Sequence, residues 1–406
     1  MEIKRIADSS GMKQHPRMPA PSPTSASLPQ PTPEALAHSR RLAEQIREVI
    51  AKAGGWLPFS EYMELALYAP GLGYYSAGAR KLGADGDFTT APEMSPLFGQ
   101  VLARQVQQLF EQVPSIVLEV GAGSGALAAS LLAELEKLGA LPDQYWILEL
   151  SADLRQRERD TLAERVPHLM ERVAWLNQLP PSFSGVVLGN EVLDAMPVEI
   201  FRIGDRGVEQ AGVTGRGTNF EWAYRPAGAV LTDQVEALDL DPGYRSEIAP
   251  VAAAFLASLG AIMDKAAALF IDYGFPQHEY YHPQRSAGTL MCHYRHHAHD
   301  DPFFLPGLQD ITAHVDFSAM ARAGHRAGLE VLGYANQAQF LINCGITDLL
   351  SSGDKDDTLR YLATASAAQK LLSPAEMGEL FKVIAFGRGI EGPLLGFRSG
   401  DKTDTL

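Results

Sequence analysis

Short apolar runs recur through the middle of the chain, at 115–121 (SIVLEVG), 144–150 (QYWILEL), 172–177 (RVAWLN), 184–191 (SGVVLGNE) and 267–274 (AALFIDYG). Helically spaced segments are expected between the first four, and a longer, partly helical stretch precedes the fifth. Near-continuous apolar strands joined by helices predict a doubly wound α/β fold, a parallel sheet with right-handed crossovers, buried on both faces. Two later runs, GLEVLGYANQAQFLI and LFKVIAFGRG, are expected to close the sheet as a terminal antiparallel pair. Between the fourth and fifth strands, EIFRIGDRGVEQAGVTGRGTNFEWAYRP alternates like a β-meander with Gly and Asp turns, so a β-rich module is expected to be inserted at about 198–250. Ahead of the sheet, PEALAHSRRLAEQIREVIAK has helical spacing and stops at Gly54-Gly55, and a second short helix runs into the Gly- and Tyr-rich GLGYY. The segment 81–100 is dense in Gly, Pro, Asp and Thr and reads as a shaped loop. The expected organisation is therefore a leader at 1–33, an N-terminal helical and capping segment at 34–110, the main α/β domain with its insert at 111–390, and a tail at 391–406.

Composition narrows what such a chain does. Hydrophobic residues make up 46% and charged residues 20% of 406 positions, the profile of an ordinary globular protein, and no stretch is long and apolar enough to span a bilayer. A net charge of -15 repels a phosphate backbone, so nucleic acid is excluded as the expected partner. Two cysteines, Cys292 and Cys344, are too few for a disulfide framework and read as buried thiols in a reducing compartment. The Pro-, Ser- and Thr-rich leader lacks an apolar signal region and reads as disordered. A cytoplasmic location is expected for a bacterial chain and the mitochondrial matrix for a eukaryotic one.

The chemistry concentrates at strand ends. LEVGAGSGALA places Gly121, Gly123 and Gly125 in the first β-to-α turn, where doubly wound sheets bind ligands and where glycine lets the backbone approach them. Read with Ala126 in the third slot, the turn fits a dinucleotide fingerprint; read as E-x-G-x-G-x-G, it fits the S-adenosylmethionine loop of class I methyltransferases. Glu119 favours the second reading, because a carboxylate repels a pyrophosphate but attracts the ammonium of the methyl donor. Glu149, ending the second strand, is placed to hold ribose hydroxyls, and Asn177, ending the third, to address the adenine amino group. After the fourth strand, GNEVLDAMP presents Asn190, Glu191 and Asp194 on a loop, a place where rigid scaffolds carry function. Paired carboxylates can grip a guanidinium and orient its nitrogen toward an electrophilic methyl, which assigns Glu191 and Asp194 to catalysis and Asn190 to the cofactor. The stretch CHYRHHAHDD gathers His293, His296, His297 and His299 beside Cys292 on what reads as a long loop, without the regular ligand spacing of a zinc site, so no metal is expected. His314, in TAHVDF, is the next polar candidate should Glu191 prove structural.

The blocks GYYSAGARKLGADGDFTTAPEMSPLFG, LEVGAGSGALA, GNEVLDAMPVEIFR, DYGFPQHEYYHPQRSAGTL and DDPFFLPGLQDITAHVDF resemble the MidA family of S-adenosylmethionine-dependent methyltransferases, over roughly residues 35–390. The resemblance implies a Rossmann-like class I methyltransferase fold, S-adenosyl-L-methionine as cofactor, and the arginine of a protein as methyl acceptor. For the mitochondrial member of the family, that acceptor belongs to a respiratory complex I subunit. It also implies that Asp87 and Thr89, in the loop GDFT, cap the cofactor, and it leaves a homodimer open. Ala91 and Gln100 depart from the family pattern, where a serine and a glutamate are expected. The competing readings are an NAD-dependent oxidoreductase, and an assembly factor that binds a partner and keeps a vestigial cofactor pocket.

Overall fold

The computed structural model describes residues 28–77, 90–217, 219–352 and 358–406. Its central sheet is built from β1 (Ile116–Val120), β2 (Gln144–Leu148), β3 (Val173–Leu176), β4 (Phe183–Asn190), β5 (Met263–Phe275), β6 (Glu330–Asn336) and β7 (Phe381–Arg388). The order across the sheet is β6-β7-β5-β4-β1-β2-β3, and a short strand, Val315–Asp316, adds to the end of β5. The five strands from β3 to β5 are parallel, as their apolar, doubly buried sequences require. The late pair closes the sheet: β7 runs antiparallel to both β5 and β6. The chain builds outward from β1 through β2 to β3, then returns to β4 on the other side of β1. The strand order reverses there, opening a crevice at the carboxyl ends of β1 and β4.

The helices that cover the sheet carry their apolar residues toward it. α1 (Pro33–Lys52) and α2 (Phe59–Tyr68) precede the sheet, and α3 (Leu97–Phe110), α4 (Ala126–Lys137) and α5 (Ala152–Arg165) contribute to one of its faces. The opposite face is closed by α6 (Pro250–Ile262) and α7 (Phe317–Arg326), with Leu256, Leu259, Phe317 and Met320 buried against Phe270 and Phe386. The expected helix between the third and fourth strands is absent. A six-residue connection, 177–182, links β3 to β4, and it contains Pro180-Pro181, which cannot continue a helix.

The β-meander forms a second, antiparallel sheet from Glu199–Gly204, Gly207–Arg216, Asn219–Pro226 and Arg245–Ile248. Leu57–Pro58, from the start of the chain, pairs onto its Gly207–Arg216 strand, so the N-terminal segment and the insert share one sheet. They share one core as well, in which Leu42, Ile46, Phe59 and Tyr62 pack with Ile200, Val213 and Phe220. The described chain begins ahead of the first helix. Leu28 is buried, the Gln30 carbonyl accepts a hydrogen bond from Arg295, and Thr32 caps α1 by accepting from the Ala35 N–H. No helix among the described residues is long and apolar enough to cross a membrane.

Candidate active site

The crevice at the reversal point is a cavity of about 1430 Å³. Its floor is the glycine turn. Gly121, Gly123 and Gly125 all have positive φ, at 65°, 60° and 77°, a region that side chains with a Cβ avoid. Gly125 stands at the mouth of α4, and a Cβ there would lie 3.0 Å from the Cα of Glu158, so the glycine also lets α5 pack against the turn. Glu119, just below, is buried, and its carboxylate accepts a 2.6 Å hydrogen bond from the Tyr145 hydroxyl. Burial pushes its pKa up to about 7 despite that bond, so a cation placed beside Glu119 would favour its charged form.

The ends of β2 and β3 form the next wall. Glu149 is buried, and one carboxylate oxygen accepts from the Ser151 N–H at 2.7 Å, which leaves acceptor capacity for a vicinal diol. Burial raises its pKa. Asn177 lines the same cavity, with its amide oxygen taken by Arg155 at 2.6 Å. Arg155 also donates to the carbonyls of Glu149 and Leu176, and so ties the two strand ends together. No sequence signal singles it out among the arginines of α5. Glu158 was missed as well: it is fully buried beneath the turn and accepts from the Trp175 indole N–H at 2.7 Å. Burial, then the neighbouring Glu149, push its pKa up to about 8.

The turn after β4 carries the acidic pair. Glu191 adopts φ 53°, rare for a residue with a side chain, and its N–H donates to the Ile271 carbonyl at 2.8 Å. The following turn is held by Asp272 on β5, a fully buried carboxylate whose Oδ2 accepts from the N–H groups of Val192, Leu193 and Asp194 at 3.2, 2.9 and 3.3 Å. Asp272 lies in the block DYGFP, yet its role as the anchor of a loop on a neighbouring strand is visible only in the fold. Burial and the adjacent Asp194 push Glu191 up to about 8, and burial raises Asp194 and Asp272 too. The Tyr273 hydroxyl hydrogen-bonds Asp194. Two acceptor atoms in this corner, Oδ1 of Asn190 and Oδ1 of Asp194, are buried without a hydrogen-bond partner among the described residues. Buried acceptors are normally paired, so this corner is under-satisfied as it stands.

Asn190, Glu191, Asp194, Glu119, Glu149, Asn177 and the glycines Gly121 and Gly123 thus converge on one cavity. Asp87 and Thr89 lie outside the described residues. The histidine-rich stretch is not a loop. It forms a hairpin, Met291–Tyr294 with His297–His299, turning at Arg295 and His296, whose φ values of 48° and 62° are the left-handed pair such a two-residue turn needs. His293 reaches the cavity, while His299 packs edge-on against Phe304. Among the described residues no group of three or more His, Cys, Asp or Glu is placed to hold a metal ion. His314 also lines the cavity, edge-on to Tyr273 and Phe275, and burial, then Arg285 and Lys382, lower its pKa to about 4, so its ring is neutral.

A glycine turn at the end of β1, carboxylates at the ends of β2 and β4, and a cavity between them with room for a nucleoside cofactor and an acceptor group define a nucleoside-cofactor enzyme of the class I methyltransferase type. The family of S-adenosyl-L-methionine-dependent methyltransferases matches residues 99–335, and the chain belongs to it. A solved structure from Burkholderia thailandensis, bound to S-adenosyl-homocysteine, is 54% identical and superposes with a TM-score of 0.91, covering 94% of this chain and all of that one. The mitochondrial protein arginine methyltransferase NDUFAF7 of Danio rerio is 29% identical over 81% of this chain and 83% of its own length, and that of Homo sapiens 27% over 82% and 80%. The protein is an S-adenosyl-L-methionine-dependent enzyme, and the dinucleotide reading of the glycine turn gives way to that family.

Proposed function

We propose that the protein methylates an arginine side chain of a protein substrate. The observation that carries this reading is the buried acidic corner after β4, where Glu191 and Asp194 crowd together on the cavity wall with unpartnered acceptors beside them. Carboxylates forced together in a low dielectric resist ionisation unless a cation joins them, and a guanidinium supplies that charge with donors in a planar fork. S-adenosyl-L-methionine, when bound, supplies the electrophilic methyl. Gly121, Gly123 and Gly125 admit it closely, Glu149 accepts from its ribose hydroxyls, Asn177 addresses the base, Asn190 and Glu119 face its methionine end, and Asp87 and Thr89 cap it. Glu191 and Asp194 hold the acceptor guanidinium, keep its nitrogen in line with the methyl, and offer a carboxylate to the proton that nitrogen gives up as the methyl bond forms and the thioether leaves. The NDUFAF7 relatives are protein arginine methyltransferases, and the proposal extends that role to this chain. A complex I subunit as the substrate, a matrix location in a eukaryote or a cytoplasmic one in a bacterium, and a homodimer belong to the same proposal.

Incubation with methyl-labelled cofactor and a cell extract, followed by mapping of the labelled residue, tests the reading. Label on arginine supports it. Label confined to lysine, to a carboxyl group or to small molecules overturns it, and an absence of transfer with the cofactor bound returns the protein to the reading of a non-catalytic binding factor.

A further inference from the structure

The cavity is electrically two-ended. Glu64, Glu119, Glu149, Glu191, Asp194 and Asp310 line it, whereas Arg285 is the one arginine or lysine among its described lining residues. The two ends are joined by a short ladder of side chains. Tyr273, bonded to Asp194, meets the His314 ring at 5.2 Å; His314 meets Phe275 at 5.4 Å; and the Arg285 guanidinium lies 4.0 Å from the centre of the Phe275 ring. Arg285 also donates to the Glu279 carbonyl, so aromatic face and backbone fix its position without neutralising its charge. Lys382 sits over the same ring at 5.3 Å, but it donates to the carbonyls of Glu379 and Leu380 and has the Glu279 and Glu379 carboxylates nearby. Arg285 is therefore the arm that faces the cavity.

We propose that Arg285 forms a subsite for a carboxylate of the protein substrate, an aspartate or glutamate within about six residues of the arginine that receives the methyl group. The proposal rests on the arginine methyltransferase reading above. An extended peptide advances about 3.3 Å per residue, so the steps of 5.2, 5.4 and 4.0 Å from Tyr273 to Arg285, with the Tyr273 side chain beyond them to Asp194, are covered by at most about six residues. Charge complementarity at this point also overcomes a general obstacle. A protein with a net charge of -15 repels acidic segments, and a positioned guanidinium gives one such segment a bidentate partner.

The test uses the full-length protein, S-adenosyl-L-methionine and sets of synthetic peptides with a single arginine, identical except for Glu, Gln or Lys placed about two, four or six residues to one side of it. At one spacing or more, the Glu peptides are expected to show a kcat/KM at least tenfold above their Gln counterparts, with the ratio shrinking as salt is added. Arg285→Glu should bring that ratio below one and favour a Lys peptide instead, and Arg285→Gln should bring it near one. S-adenosyl-homocysteine stabilisation of each variant reports folding, and the Gln variant decides the matter should the Glu variant fail that check. Equal kcat/KM for Glu and Gln peptides at every spacing, or a ratio unchanged in Arg285→Gln, overturns the subsite while arginine methylation stands. If no peptide is methylated and none binds the complex with S-adenosyl-homocysteine, the arginine reading falls and the subsite with it.

Discussion

Glu191 combines three costs in one residue: a left-handed backbone, burial, and a carboxylate beside Asp194. Residues held against their preferences in this way cluster where a site is pre-organised for a ligand. Two measurements follow from its chemistry. With a pKa of about 8 in the folded protein and a lower, ordinary carboxylate value in the unfolded chain, Glu191 holds more protons folded than unfolded. Its contribution to stability therefore falls as pH rises from the ordinary carboxylate range toward 8. Glu191→Gln removes this dependence, so the ligand-free variant should gain melting temperature relative to the parent at pH 8 compared with pH 5.5, and parallel pH profiles would place its titration elsewhere. In the presence of substrate, the same variant should lose roughly a hundredfold in methyl-transfer rate, the scale expected when orientation and preorganised charge fail together, while affinity for S-adenosyl-homocysteine is retained. An unchanged rate would leave Glu191 a structural residue and pass the role to His314 or Asp87. Loss of cofactor affinity along with the rate would move Glu191 to the methionine end of the site.

At the level of elements, the glycine turn is the piece that sequence alone places well. Gly121, Gly123 and Gly125 follow an apolar strand and open a helix, and the local signal is complete within about ten residues. The supports of the site are a different matter. Asp272 braces a turn 78 residues earlier, Arg155 bridges two strand ends from within a polar helix, and Leu57–Pro58 completes a sheet whose other strands begin at Glu199. Each partnership is set by strand order and packing, and no periodicity or motif encodes it. The histidine stretch misled for a related reason, since a two-residue turn with non-glycine left-handed residues carries none of the Asn-Gly or Gly-Gly signals that announce a hairpin. A test at this scale uses Gly125. Alanine there faces both φ 77° and the Glu158 backbone 3.0 Å away. Gly125→Ala should lower unfolding free energy by about 1–3 kcal/mol and weaken S-adenosyl-homocysteine binding, as followed by chemical denaturation and calorimetry. Full stability in the variant would mean that the turn and α5 can separate without cost.

Across the whole molecule, the cofactor crevice draws on both ends of the chain's architecture. Tyr68 and Tyr75, from the N-terminal segment, line it beside residues of the central sheet, with Tyr68 donating to the Ala195 carbonyl and Tyr75 to Asp310. A ligand seated there touches both cores, so its binding energy should stabilise the molecule as a unit. S-adenosyl-homocysteine at a hundred times its dissociation constant contributes about 2.7 kcal/mol to the folded state by mass action, which should raise the melting temperature in a concentration-dependent way, whereas NAD at equal concentration should leave it unchanged. Truncation adds a second arm to the measurement. Removing residues 1–27 should preserve both the melting temperature and the ligand-induced rise, because that Pro-, Ser- and Thr-rich sequence has little apolar content to add to a core. Removing 1–32 deletes the buried Leu28 and the Thr32 cap and should cost about 1–3 kcal/mol. Stabilisation by NAD in place of S-adenosyl-homocysteine would contradict the cofactor assignment outright. A truncation at residue 27 that abolishes the ligand-induced rise would instead give the leader a part in the cofactor site.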